Sequence, residues 1–323
     1  MKSNNYPEIS IVVPVYNESE IINDFHAQLA AVLDTLKNKS KIWYVDDGSD
    51  DGTAEVLAAL ADRDAQVRVL TLSRNFGHQA ALTCGLDHAE GEVIITMDGD
   101  GQNPPEMIPE MLNLFQAGYD IVIGQRQVGT EEPFFKRVSS RFFYQLINRI
   151  GNLDITPNAA DFRLLSRKVV DGLKKMPEYH RFLRGMISWV GFKSVILPYT
   201  PKSRLGGESK YTLKKMLKLA GDAIFSFSLV PLHIGLAIGG LFYFLALLEA
   251  IYVLSFWVTG NQPQLEPGWS SLMFMLLIVG GTLTTVVSFI GIYVGYIFQE
   301  VKNRPIYLLR DTEEEPSHNE NMK

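Results

Sequence analysis

The chain has 323 residues, 46% of them hydrophobic and 20% charged, with a formal net charge of −6. That length exceeds a typical single domain and points to a globular part with an appendage. The acidic balance argues against general nucleic-acid binding, which calls for a basic footprint, and the single cysteine, Cys84, excludes an intramolecular disulfide framework or a cysteine-based zinc site.

The first apolar run, 9–15, is short and broken by Pro14, unlike a secretory signal, so the N-terminal part is expected to stay in the cytoplasm. Short β-branched runs predict strands at 9–15, 42–45, 67–72, 93–97 and 121–124. Between the first two lies a helix that presents Ile21, Ile22, Phe25, Leu29, Val32, Leu33 and Leu36 on one face. Another helix is expected from about Gly52 and a third over 105–116, while residues 80–86 read as a helix face that buries Cys84. Strand–helix alternation of this kind implies an α/β fold with a mostly parallel sheet, whose active site lies beyond the carboxyl ends of the strands.

Residues 133–150 carry Phe134, Phe135, Val138, Phe142, Leu146 and Ile150 at helical spacing, interleaved with Lys136, Arg137, Arg141 and Arg149. Two readings fit: a helix packed on the sheet, or one lying in a lipid headgroup layer. Residues 211–228 form a second amphipathic, juxtamembrane segment after a catalytic domain over 1–210. Two long apolar stretches, 229–258 and 269–299, exceed the roughly 20 residues that a bilayer span requires. The loop 259–268 between them lacks Lys and Arg, whereas Lys210, Lys214, Lys215 and Lys218 precede the first span and Lys302, Arg304 and Arg310 follow the second. The positive-inside rule then places the catalytic domain, both termini and the polar tail 300–323 in the cytoplasm of a multi-pass inner-membrane protein. Glu249 lies toward the outer end of the first span, where snorkelling or an intersubunit partner would accommodate it. Gly239–Gly240 and Gly280–Gly281 would permit close helix packing in a homo-oligomer.

Three polar strand ends converge on one edge. Asp98-Gly99-Asp100, with Gln102, follows the fourth strand, and two carboxylates on a glycine-softened turn can share one hard cation such as Mg²⁺ or Mn²⁺. Asp46-Asp47-Gly48-Ser49-Asp50-Asp51-Gly52-Thr53 ends the second strand with more carboxylates than capping requires, and Pro14-Val15-Tyr16-Asn17-Glu18 ends the first.

Through these three segments the chain resembles the family-2 glycosyltransferases of the GT-A fold. Through Arg74–Leu82, Asp98–Pro105, Asp161-Phe162-Arg163-Leu164-Leu165 and Arg204–Tyr211 it resembles more narrowly the polyprenyl-phosphate glycosyltransferases, the group of dolichyl-phosphate mannose synthase and bactoprenol glucosyltransferase. The resemblance covers residues 8–215 and implies a GT-A domain anchored by interface helices and two transmembrane helices. It assigns the nucleotide-sugar to Pro14, Tyr16, Glu18, Asp47, Asp98, Arg204 and Lys210, and the metal to Asp98, Asp100 and Gln102. It assigns the acceptor phosphate to Arg126, with Arg137, Arg141 and Ser209 beside it; arginine suits this because its fork binds phosphate oxygens bidentately.

Asp161 matches the position usually called the catalytic base. A phosphate monoester, with a second pKa near about 6, already carries negative oxygens at neutral pH. Asp161 therefore either abstracts a proton or orients the acceptor arginines and sugar hydroxyls; His78 and His180 are alternative bases for which a structural role is the simpler reading. The implied reaction is inverting transfer of one sugar, glucose from UDP-glucose, to undecaprenyl or another polyprenyl phosphate, with GDP-mannose and UDP-aminoarabinose as other donors. A processive synthase is disfavoured because the Gln-x-x-Arg-Trp motif is missing. A non-catalytic scaffold or translocation partner for lipid-linked sugars is the rival of another class, and the intact Asp98, Asp100, Asp161 and Lys210 set disfavours it.

Overall fold

The structure, a computed structural model, describes residues 7–127, 156, 159–179, 181–202 and 268–310, with scattered single positions between 237 and 259. These divide into two compact units. One holds the described residues up to Lys202 together with residues 305–310; the other holds those between Ala237 and Arg304.

The first unit is built on a seven-stranded sheet of β1 (Ile9–Val15), β2 (Ser40–Asp46), β3 (Val67–Thr71), β4 (Val93–Thr96), β5 (Ile121–Arg126), β6 (Ala159–Ser166) and β7 (Ser194–Tyr199), in the order β3-β2-β1-β4-β6-β5-β7. Every residue of β1 and β4 is buried, as expected for strands covered on both faces, whose sequences read as unbroken apolar runs. Strands β1 to β4 pair in parallel, so their carboxyl ends share one edge. Strand β6 runs antiparallel to both β4 and β5, with Thr96 and Ile123 each opposite Arg163. The reversal brings the start of β6, and Asp161 with it, to the edge where β4 and β5 end. A register shift between Ile123 and Gln125 marks a β-bulge in β5, a feature that commonly re-aims side chains near active sites.

Helices α1 (Ile22–Leu33), α2 (Thr53–Arg63), α3 (His78–His88), α4 (Ile108–Gln116), α5 (Arg167–Lys174) and α6 (Leu183–Trp189) flank the sheet. Helix α1 buries Ile22, Phe25, Leu29 and Leu33, the face read from the sequence, and α3 buries Cys84 as expected. A single 3₁₀ turn, Pro105–Met107, leads into α4, matching the helix expected over 105–116.

Two strands were not expected from sequence, β6 and β7. The first carries the polar Asp161, Arg163 and Ser166 on an otherwise apolar run, and all three are buried. The second mixes exposed and buried positions without clean alternation. Strand β5 also extends two residues past its expected end, so Arg126 lies on the strand and not after it.

The second unit contains α7 (Trp269–Val301), which matches the expected second span. Among the described residues it is the one helix long and apolar enough to cross a membrane, over Ile278–Val301. Leu276, Leu283, Val287 and Ile297 are all more than half exposed along it. The expected first span lies outside the described residues except for single helical positions. The segments 133–150 and 211–228, Glu249 and the tail beyond Arg310 lie outside them altogether.

Phe162 links the core to the edge that carries the polar residues: it is fully buried and meets the Tyr199 ring edge-on, with centroids 5.7 Å apart. Phe162→Ala removes that contact and opens a cavity, and should cost about 3–5 kcal/mol of stability, measured by chemical unfolding of the detergent-purified protein.

Candidate active site

The shared strand edge gathers two carboxylates and three cations. Asp161, almost fully buried, accepts a bidentate pair from Arg184, Nε to Oδ1 at 2.9 Å and Nη2 to Oδ2 at 3.0 Å. His78, the first residue of α3, places Nε2 3.2 Å from Asp161 Oδ2 and 3.6 Å from Asp98 Oδ1. On its other oxygen Asp98 faces Arg126 Nη2 at 3.7 Å. The cations and carboxylates thus alternate as Arg184, Asp161, His78, Asp98 and Arg126.

Strand register explains the far end of this row. Arg126 and Tyr199 are partners across the parallel β5–β7 pair. Arg126 Nε donates to the Tyr199 hydroxyl at 3.2 Å, and that hydroxyl donates to Asn103 Oδ1 at 2.8 Å. Arg126 Nη1 also donates to Gln102 Oε1 at 3.3 Å. The guanidinium is therefore tied to the Asp98–Gln102 turn at two points. The first strand end closes on the same turn: a Cβ on Gly99 would sit 2.7 Å from Glu18 Oε2 and 3.1 Å from Val15 Cγ1, so the two segments lie in close contact.

The Asp46–Thr53 segment separates into two roles. Asp46 accepts from the Ser49 amide and hydroxyl, Asp50 exchanges hydrogen bonds with Asn17, and Asp51 accepts from Ser19 and Thr53. These three do the loop-tying work of turns and caps. Asp47 instead reaches the next strand's loop, accepting from the Phe76 amide at 2.7 Å and the Gly77 amide at 2.9 Å.

The charge balance is uneven. Burial would raise the Asp161 pKa, but the Arg184 charge and the His78 hydrogen bond overcome it and hold the carboxyl well below the usual range. Burial works against the His78 imidazolium too, yet the Asp161 hydrogen bond and the Asp98 and Asp161 charges push its pKa up to about 9. His78 is thus a cation at neutral pH. Asp98 is raised by burial and by the carboxylates of Asp161 and Asp100, against the pull of His78 and Arg126. Burial likewise raises Asp47, against its two amide hydrogen bonds.

Asp98, Asp100 and Gln102 suit a hard divalent cation in kind, since two carboxylates and an amide offer only oxygen. Among the described residues no three His, Cys, Asp or Glu side chains gather into a metal cluster. Two carboxylates are nonetheless enough for Mg²⁺ or Mn²⁺, which fill their remaining positions with water and substrate phosphates. The raised Asp98, crowded by like charge, is the feature that an added cation would relieve.

Of the residues singled out from sequence, Glu18, Asp98, Gln102, Arg126 and Asp161 meet in this arrangement. Asp100 turns Oδ1 back to the Gln102 amide at 3.0 Å. Pro14 pairs with Val45 inside the sheet and Tyr16 follows β1, both adjoining the site through the backbone. Arg137, Arg141, His180, Arg204, Ser209 and Lys210 lie outside the described residues. His78, for which the sequence favoured a structural role, lies in this row between Asp161 and Asp98, and Arg184, Tyr199 and Asn103 were not singled out. One signal for Arg184 was present: Asp161 sits in an apolar run, and a buried carboxylate demands a cation. Sequence could not choose among Arg163, Arg181 and Arg184.

Residues 10–173 match the model of the family described as Glycosyl transferase family 2. The glycosyltransferase YkcC of Bacillus subtilis is 40% identical over 306 residues, covering 94% of this chain and 93% of that relative. The bactoprenol glucosyl transferase of Shigella phage SfII is 37% identical over 307 residues, covering 94% of this chain and 97% of the relative. Among solved structures, S. aureus TarS 1-349 in complex with UDP-GlcNAc aligns with a TM-score of 0.46 and 17% identity, covering 86% of this chain and 81% of that one.

Arg184→Met leaves the Asp161 carboxylate buried with His78 as its remaining cation. The variant should lose about 3–5 kcal/mol of stability, and adding Asp161→Asn should recover part of it, because breaking one side of a buried ion pair costs more than removing both. Unfolding of the two variants checks this; a loss below about 1 kcal/mol in Arg184→Met would show that His78 alone compensates the carboxylate.

Proposed function

Because the chain belongs to glycosyltransferase family 2, we propose that it moves one sugar from a nucleotide-sugar to a polyprenyl phosphate, best matched by glucose from UDP-glucose and undecaprenyl phosphate. The observation that carries this reading is the row of alternating charges at the strand ends, in a chain similar over 94% of its length to a bactoprenol glucosyl transferase. Such a row suits two phosphate-bearing substrates that must meet without repelling each other.

In this reading the acceptor phosphate oxygen attacks the anomeric carbon as the bond from that carbon to the nucleoside diphosphate breaks, inverting the centre. Pro14, Tyr16, Glu18 and Asp47 hold the nucleotide, joined by Arg204 and Lys210. Arg126 receives the acceptor phosphate, with Arg137, Arg141 and Ser209 as helpers. Its ties to Tyr199 and Gln102 fix its fork in one orientation, which is what bidentate phosphate binding needs. Asp98, Asp100 and Gln102 would hold Mg²⁺ or Mn²⁺. When bound, that cation supplies Lewis-acid stabilisation of the departing diphosphate.

Asp161 is the position where family resemblance and geometry part. A carboxylate held well below its usual range by Arg184 and His78 is a poor proton acceptor, and a phosphate acceptor is already ionised near neutral pH. The better reading is that Asp161 positions Arg184 and His78 as fixed positive charges, stabilising negative charge on the substrates.

The membrane arrangement proposed from the sequence is a catalytic domain over 1–210, a juxtamembrane segment over 211–228, spans over 229–258 and 269–299, an outer loop over 259–268 and an inner tail over 300–323. Residues 305–310 belong to the catalytic unit, and Lys302, Arg304 and Arg310 favour a cytoplasmic flank after the second span by the positive-inside rule.

Purified protein incubated with undecaprenyl phosphate and UDP-glucose, with and without Mn²⁺, should yield a glucosylated lipid phosphate by mass analysis only when the cation is present. A panel with GDP-mannose and UDP-aminoarabinose fixes the donor; release of sugar to no lipid acceptor under any condition would refute the reading.

The role of Asp161 is separable. Asp161→Asn should lower kcat about 10²-fold through misplaced neighbours. The acid limb of the pH–rate profile should persist near about 6, where the acceptor phosphate takes up its second proton. Loss of that limb in the variant would instead make Asp161 the base.

A further inference from the structure

The six residues 305–310, which follow the apolar helix α7, dock onto the catalytic unit at a place that no substrate assignment uses. Helix α7 ends at Val301, Asn303 adopts a left-handed φ of +47°, and Pro305 follows, a combination that stops a helix and turns the chain. The chain then pairs antiparallel with the sheet's edge beside β3. Leu72 bridges Leu309, the Ser73 amide donates to the Leu308 carbonyl at 2.8 Å, and the Arg310 amide donates to the Thr71 carbonyl at 2.7 Å. Side chains anchor it. Leu309 and Tyr307 pack against the cluster of Val45, Leu72, Ala81 and Cys84. The Tyr307 hydroxyl donates to Asp87 Oδ2 at 3.1 Å, and its ring lies 6.3 Å from that of His88.

These contacts fall where β3 ends and the 73–77 loop begins, and along the helix that the loop feeds. The other end of the loop is held by Asp47 through the Phe76 and Gly77 amides. Its middle lies against Gly48, where a Cβ would come within 2.5 Å of the Arg74 carbonyl carbon. The loop is therefore clamped between Asp47 on one side and the 305–310 segment on the other. It delivers His78, the cation between Asp161 and Asp98.

We propose that residues 305–310 form a clasp that positions the 73–77 loop for the nucleotide, so that donor binding depends on the chain leaving α7 being docked on the catalytic unit. Tyr307 and Leu309 are positioning residues in this device, and neither touches substrate. The inference rests on the donor assignment above for its consequence, but the clamping of the loop is a separate physical claim.

Four variants test it in the full-length, detergent-purified protein, with UDP and Mn²⁺ as the binding probe. Tyr307→Ala and Leu309→Asp should each weaken UDP binding and raise the donor KM about tenfold, with kcat within about twofold, a split expected when ground-state binding alone is lost. Hydrogen exchange of the Phe76 and Gly77 amides should accelerate by a similar factor. Tyr307→Phe, which keeps the ring and loses only the hydroxyl, should restore most of the donor affinity. Leu57→Ala, a cavity in the core away from the clasp, should lower the unfolding midpoint and leave KM unchanged.

If Tyr307→Ala and Leu309→Asp lower only the unfolding midpoint, with KM and exchange at 76–77 unchanged, the clasp is ordinary packing and the inference is wrong; a matching rise of KM in Leu57→Ala has the same meaning. Asp47→Ala separates the two claims. Should it leave UDP binding intact, the donor assignment fails, and exchange at Phe76 and Gly77 in the Tyr307 and Leu309 variants still decides whether the loop is clasped.

Discussion

The ion pair between Asp161 and Arg184 is the constraint on which the site depends. A carboxylate this deeply buried carries a desolvation cost of several kcal/mol, which is offset only by excellent geometry and further hydrogen bonds. Arg184 supplies a two-point fork and His78 a third contact. In satisfying Asp161 these cations are themselves fixed, one on α6 and one at the start of α3, so the carboxylate joins two helices to the sheet. His78 passes the constraint on to Asp98, and Asp98 to Arg126. Positions fixed at one end of the row limit those at the other.

Chain direction makes this row possible. In a purely parallel sheet the start of each strand lies at the far edge from the site. Strand β6 is the exception: running against β4 and β5, it brings its first residues to the edge where theirs end. The same edge receives Arg126 and Tyr199, aligned by the parallel β5–β7 register. The edge therefore draws on strands of both directions, and the bulge in β5 falls just before Arg126.

Much of this was legible in the residues, and what was not has physical reasons. The helices α1 and α4 and the strands β1 to β5 announce themselves through periodicity and unbroken apolar runs. The turn motifs at Asp47 and Asp98 were visible because carboxylates and glycines crowd one strand end. Strand β6 escaped because its buried polar side chains look like a loop until their partners are known, and β7 because its burial alternates irregularly. Arg184 was hidden for a related reason: its importance comes from a partner 23 residues away. The Asp46–Thr53 run taught the opposite lesson. Its surplus of acid suggested a ligand site, yet Asp46 ties its own turn, Asp50 and Asp51 tie it to Asn17 and Ser19 after β1, and Asp47 holds the Phe76 and Gly77 amides.

The distribution of charge also bears on what chemistry Asp161 can do. A general base works best with a pKa near the operating pH, and the surroundings of Asp161 drive it the other way. The same surroundings keep His78 charged through the neutral range. A pair in which the Asp161 carboxyl is lowered and the His78 imidazole raised is arranged to hold static charges, not to move a proton between them. That suits the proposed phosphate acceptor, a nucleophile already ionised that would have to approach a second anionic substrate. In the proposed transfer the electrostatic work would fall to Arg126, Arg184 and His78, with Asp161 keeping the last two in place through its hydrogen bonds.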